Sequence, residues 1–201
     1  MFSILPYLCG DDQMISKSFK PLIFAVLFIT VSLVAMQFLQ DTLVFHRQLI
    51  EEGQWWRIIS GNLVHANTAH LLLNLSGLWI MAFLFIDTLS AKTFIISSLI
   101  MSIFVGLGLF YLDPSLLKYY GFSGVLYGLF FVGGVTAILS KDYFTGISVI
   151  LFVIVKLIWD LIYGGNASSE ELIGIPVAVN AHLYGIVGAF IISIFLYVSE
   201  R

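Results

Sequence analysis

The sequence predicts an all-α fold: a polytopic membrane protein built as one bundle of six transmembrane helices. Two observations carry this. Hydrophobic residues make up 60% of the 201 residues and charged residues only 10%, where a soluble domain carries about 25% charge. The apolar residues also fall into runs of spanning length, since a hydrocarbon core of about 30 Å takes roughly 20 residues of helix.

The runs lie at about 21–39, 70–86, 93–112, 121–139, 143–163 and 178–198. Backbone polar groups in lipid must be satisfied within their own segment, so each run is expected to be a helix. Two connections are longer than the rest. The first, about 40–65, is amphipathic and holds Trp55, Trp56 and Arg57; the second, 164–177, is rich in Gly, Ser and Glu. No composition shift or repeat divides the chain. It reads as a single domain over 1–201, with 1–20 as a polar cytoplasmic segment carrying Asp11, Asp12, Lys17 and Lys20.

The net charge of −3 gives no reason to expect a nucleic-acid partner, and the single cysteine, Cys9, excludes a disulfide within the chain. No small-residue cleavage site follows the first apolar run, so no cleavable signal peptide is expected. Six spans put both termini on one side. Lys17, Lys20, Lys92, Lys141 and Arg201 fall on that side, against Arg47, Arg57 and Lys118 on the other. The excess places both termini in the cytoplasm and turns the two longer loops outward.

Polar groups inside a bilayer are costly, so each is a candidate for function. The second span opens with His65, then His70 and Asn74, which are four apart and share a helix face. The fourth opens Gly121-Phe-Ser123-Gly124-Val-Leu-Tyr127-Gly128, and the sixth opens Asn180-Ala-His182-Leu-Tyr-Gly185. All three clusters sit at the outward ends of their spans and can meet at one depth. A serine hydroxyl becomes a useful nucleophile with a base in hydrogen-bond reach, which His182 can supply to Ser123. A helix N-terminus at Ser123 favours developing negative charge. His70 and Asn74 are donors that could face an oxyanion, each worth about 10²–10³ in rate. No carboxylate is expected beside His182, so the pair reads as a dyad, with Tyr127 one turn below Ser123 packing on the imidazole. Gly124-x-x-x-Gly128 and Ala181-x-x-x-Gly185 would let the two helices touch.

Other polar residues read as structural. His65 is expected to anchor its loop by an interhelical hydrogen bond. Lys156 and Asp160, four apart on the fifth span, are expected to neutralise each other near its outer end. A zinc protease would need His-Glu-x-x-His, which is absent, and an aspartyl protease would need paired intramembrane aspartates. No metal or cofactor is expected. A proton path or another non-catalytic membrane function stays open as the competing reading.

At these residues the chain resembles the rhomboid intramembrane proteases. The match runs through Trp56-Arg57, His65-x4-His70-x3-Asn74, Gly121-Phe-Ser123-Gly124 and Ala181-His182-x-x-Gly185. The resemblance implies a six-helix core, Ser123 as nucleophile and His182 as base. It implies an oxyanion hole from His70, Asn74 and the Ser123 backbone N–H, and a transmembrane protein as substrate. Phe45-His46-Arg47, Trp56 through Gly61, Gly124 through Gly128, and Lys156 and Asp160 before Tyr163-Gly164 also look like the rhombosortases. Those are small bacterial rhomboids paired with proteins bearing a C-terminal Gly-Gly, hydrophobic-helix, basic-tail sorting signal. Asp160 stands where that group would have Glu, and Tyr127 where many members have His. The implied location is the bacterial inner membrane with the site open to the periplasm. Lys156 and Asp160, with Glu170 and Glu171 in the following loop, are then candidates for gating substrate.

Overall fold

The computed structural model describes residues 12–165 and 167–199. Cys9, Asp11 and Arg201 lie outside the described residues. The polypeptide runs through α1 (Asp12–Met36), a 3-10 turn (Gln37–Leu39), α2 (Gln40–Leu43), β1 (Phe45–His46), α3 (Arg47–Glu51), α4 (Arg57–Ser60) and a second 3-10 turn (Gly61–Leu63). It continues through α5 (Thr68–Leu84), α6 (Ala91–Leu112), β2 (Lys118–Tyr119), α7 (Ser123–Leu139), α8 (Tyr143–Tyr163), α9 (Ala167–Ile173) and α10 (Val179–Ser199). Among the described residues the bundle is all-α apart from one short antiparallel ladder, which pairs Phe45 with Tyr119 and His46 with Lys118.

Local chemistry starts several of these helices. Asn67, Ser90 and Asp142 cap α5, α6 and α8 by accepting from His70 N, Thr93 N and Thr145 N, so each satisfies one of the free N–H groups of a first turn. The helix α1 begins well before the first apolar run and passes through Pro21.

The six expected spans do not all have the same length. Among the described residues, four helical stretches are long and apolar enough to cross a membrane unaided: Pro21–Leu43, α6, α8 and α10. The stretch Arg57–Leu63 joins α5 as a broken span with an 85° bend. The remaining helix, α7, has 17 residues, roughly 25 Å against a hydrocarbon core of about 30 Å. Both of its ends cannot reach the two membrane surfaces at once.

The short helix is the centre of the bundle. It packs against α5, α6, α8 and α10, and most of its residues are buried, among them Gly124, Val125, Gly128, Leu129, Val132 and Gly133. A helix apolar on all sides belongs in such a position. Around it, Leu22 and Val26 of α1, Leu78 and Met81 of α5, Phe94 and Met101 of α6 and Ala189 of α10 complete the core. Large apolar side chains on the outer faces, such as Phe28, Phe144, Phe152 and Phe195, are exposed and suit contact with lipid. Since lipid tails are as apolar as these side chains, close packing and buried hydrogen bonds hold the helices together.

Two buried arginines fix the first loop. Arg57 donates to Asp41 O, Val44 O and Gln54 Oε1 at 3.0, 2.8 and 2.7 Å. Arg47 donates to Leu109 O, Phe110 O, Asp113 O and Leu116 O at 2.7–3.0 Å. It thereby closes the C-terminal end of α6, where carbonyls lack helix partners and the dipole favours a cation.

Candidate active site

The serine helix starts abruptly. Gly121 has φ +115°, a conformation that favours glycine, and its N–H donates to Val64 O at 2.8 Å. Tyr119 Oη donates to Gly121 O at 2.8 Å. Burial raises the Tyr119 phenol above its ordinary value, so it stays a neutral donor. These bonds set the chain so that Ser123 is the first residue of α7, where the N–H groups of the opening turn have no helix partners.

His182, on the first turns of α10, meets it there. The distance from Ser123 Oγ to His182 Nε2 is 3.0 Å, a normal hydrogen bond. The imidazole stacks on Tyr127 with ring centroids 4.1 Å apart and planes 5° from parallel. Helix proximity makes this contact possible. A Cβ at Gly124 would sit 2.7 Å from Ala181 O, and one at Gly128 would sit 2.6 Å from Gly185 O. A Cβ at Gly185 would overlap Gly124 O outright.

On the other side of Ser123 lies α5. His70 and Asn74 are buried and line the same cavity as Ser123 and His182. The His70 ring rests on Gly121, where a Cβ would meet Cε1 and Nε2 at 2.6 and 2.7 Å. Asn74 Nδ2 donates to His70 O at 2.9 Å, which uses one of its two N–H groups. The cavity, about 420 Å³, is bounded by α5 at Leu73 and Gly77, by α8 at Phe152, Val153 and Lys156, and by the Ile173–Ala178 stretch. Such a volume is in the range of small-molecule and peptide side-chain pockets.

The region 52–199 matches the Rhomboid domain family. The chain belongs to the rhomboid family. It is also 27% identical, over 162 residues covering 81% of this chain and 77% of the other, to "Putative rhomboid protease YdcA" of Bacillus subtilis (strain 168). Family and apolar helices together make the chain a multi-pass membrane protein.

Within this rhomboid bundle, several residues take other places than the sequence suggests. The sequence reading leaves His182 without a carboxylate, but the structure supplies one. Asp160 Oδ2 lies 3.8 Å from His182 Nδ1, and Tyr127 Oη donates to the same oxygen at 2.8 Å. Lys156 Nζ pairs with Asp160 Oδ1, as expected, but Asp160 faces inward and is 2% exposed. The signal was present: Asp160 continues the buried stripe Val153, Leu157 at spacings of four and three, the repeat of one helix face.

His65 anchors its loop through the backbone, not the ring. Its carbonyl accepts from Gln37 and Gln40, and its N–H donates to Gln37. The ring packs edge-on against His70 at 5.1 Å, and among the described residues neither ring nitrogen has a hydrogen-bond partner. In the second long loop, α9 forms where the sequence suggests only a polar connection. Asn67 Nδ2 ties it to α5 through Leu172 O at 3.0 Å. Glu170 is occupied in bracing this loop, accepting from Val177 N at 2.8 Å.

Proposed function

We propose that this chain is an intramembrane serine endopeptidase with Ser123 as nucleophile and His182 as general base. The observation that carries the reading is the 3.0 Å Ser123 Oγ–His182 Nε2 contact at the start of a buried helix, facing a cavity. Membership of the rhomboid family supports the same activity in general.

The chemistry follows from the atoms. Ser123 Oγ attacks the scissile carbonyl carbon while its proton passes to His182 Nε2. The oxyanion is met by the Ser123 backbone N–H, by His70 and by the free N–H of Asn74. The intermediate collapses, the C–N bond breaks, and His182 returns the proton to the leaving amine. Water then attacks the acyl ester, giving a proton to His182; the ester C–O bond breaks and Ser123 recovers its proton. No step calls for a metal or cofactor.

The substrate is a transmembrane segment entering from lipid between α5 and α8, whose residues flank the cavity. Its helix must open to expose a carbonyl, which glycine makes easier. The rhombosortase-like motifs narrow the class to C-terminal Gly-Gly sorting signals. The chain acts as a single domain in a bacterial inner membrane, with cytoplasmic termini and the site reached by water from the periplasm. Lys156 at the cavity wall contributes to substrate gating. The test is fluorophosphonate labelling of the protein in proteoliposomes. Labelling at Ser123 that disappears in Ser123→Ala and falls strongly in His182→Ala is expected. Equal labelling of wild type and Ser123→Ala would falsify the mechanism and favour a non-catalytic role.

A further inference from the structure

We propose that Asp160 is a positioning residue of this active site, holding the His182 imidazole in line with Ser123 and turning the dyad into a triad. This rests on the serine-protease reading above.

Three observations converge. First, Asp160 is a nearly fully buried carboxylate on a membrane-spanning helix, where an unpaired charge is strongly disfavoured. Its position is therefore maintained by specific partners. Lys156 balances its charge, and Tyr127 Oη fixes Oδ2 at 2.8 Å. Second, the oxygen held by Tyr127 is the one that faces His182 Nδ1, 3.8 Å away. Third, that nitrogen is buried and has no hydrogen-bond partner among the described residues, while Nε2 is engaged by Ser123.

A histidine base works in one tautomer: Nε2 must accept from the serine, so Nδ1 must carry hydrogen. A carboxylate facing Nδ1 selects that tautomer. It also stabilises the imidazolium formed when the Ser123 proton moves to Nε2; the carboxylate remains ionised throughout. The 3.8 Å separation exceeds a hydrogen bond, as catalytic contacts often do before substrate binds. A shift of about 1 Å in the Asp160 carboxylate or the imidazole closes it. Tyr127 has a double part, stacking on the ring and holding the carboxylate that faces it. The titratable and charged groups around His182 are then Ser123 and Tyr127 from α7, Lys156 and Asp160 from α8, and His70 from α5. Neutralisation by Lys156 accounts for a charge facing the bundle interior, but not for the second oxygen being held by Tyr127 and turned toward His182 Nδ1.

The test is the rate of fluorophosphonate labelling at Ser123 in proteoliposomes, separated into kinact and KI, for wild type, Asp160→Asn and Asp160→Glu. Asp160→Asn is expected to lower kinact by about 10²-fold or more with KI within about threefold, and Asp160→Glu to recover to within about tenfold of wild type. The double substitution Lys156→Gln/Asp160→Asn removes both charges together and keeps the helix neutral. It is expected to show the same fall in kinact, and it decides the matter if the single variant does not fold. Wild-type kinact in a folded variant lacking the carboxylate, or a loss confined to KI, overturns the proposal. Wild-type protein that does not label at Ser123 overturns the serine-protease reading instead, and the two failures are distinct.

Discussion

Ser123 owes its position to a few neighbours whose replacement has calculable effects. Gly121 is the most constrained of them. Its φ of +115° disfavours any side chain, and a Cβ would press on the His70 ring at 2.6 Å. Gly121→Ala therefore combines backbone strain of about 1–3 kcal/mol with displacement of a proposed oxyanion donor. Labelling of Ser123 should fall at least tenfold, measured with the fluorophosphonate probe; a variant that labels normally would show that neither the strain at Gly121 nor the pressure on His70 disturbs the site. Tyr127→Phe is a gentler change. It keeps the stack on His182 and removes only the hydroxyl that donates to Asp160. A fall of roughly ten- to 150-fold in kcat with little change in KM is expected, in line with about 1.5–3 kcal/mol for a hydrogen bond to a charged group. The Ser123–His182 pairing was legible in the sequence because polar residues in lipid are few and their spans enter from one side. Asp160 is easily passed over because its i,i+4 lysine offers a self-sufficient explanation; its spacing from Val153 and Leu157 is the one hint, and it becomes decisive only when α8 is set against α7 and α10.

At the scale of elements, the contact between α7 and α10 determines whether the pair forms at all. Gly185 lies directly on the Gly124 carbonyl, so Gly185→Ala must push the helices apart. Overpacking of this kind costs about 1–3 kcal/mol, and a 1 Å displacement of His182 is enough to cost about 10²-fold in rate. The variant should remain folded by size-exclusion chromatography while cleaving far more slowly; unchanged cleavage would show that the helices have room to spare. The small-residue spacing made this contact readable in advance. The β1–β2 ladder and the α9 helix were not readable, since a pair of two-residue strands and a seven-residue helix carry too little pattern to stand out within polar loops. Their importance is structural. The ladder joins the first loop to the segment leading to Ser123, and Arg47 reinforces that join by its bonds to the end of α6 and to Leu116 O. Arg47→Ala leaves several carbonyls without a donor and should lower unfolding stability by about 3 kcal/mol, read as a drop in Tm in detergent. A Tm unchanged from wild type would mean that the capping bonds contribute nothing net.

At the scale of the molecule, the fold surrounds the apolar 17-residue α7 with α5, α6, α8 and α10. Its end, rather than its middle, carries Ser123. A bundle of this form can admit water to Ser123 from one side and a lipid-borne helix from another, between α5 and α8. Joining Leu73→Cys to Phe152→Cys with a reducible crosslinker, in a Cys9→Ser background, should block cleavage of a transmembrane substrate and restore it on reduction. Cleavage that continues in the crosslinked protein would place the entry route elsewhere. The most direct measurement of the central claim is mass spectrometry of the mature C-terminus of a co-expressed protein carrying a Gly-Gly sorting signal. With wild type, a new C-terminus within or beside the transmembrane segment is expected; with Ser123→Ala, the intact tail. An intact tail in both, while the wild type labels at Ser123, would contradict the assigned substrate class. A cut tail in both would contradict Ser123 as the nucleophile.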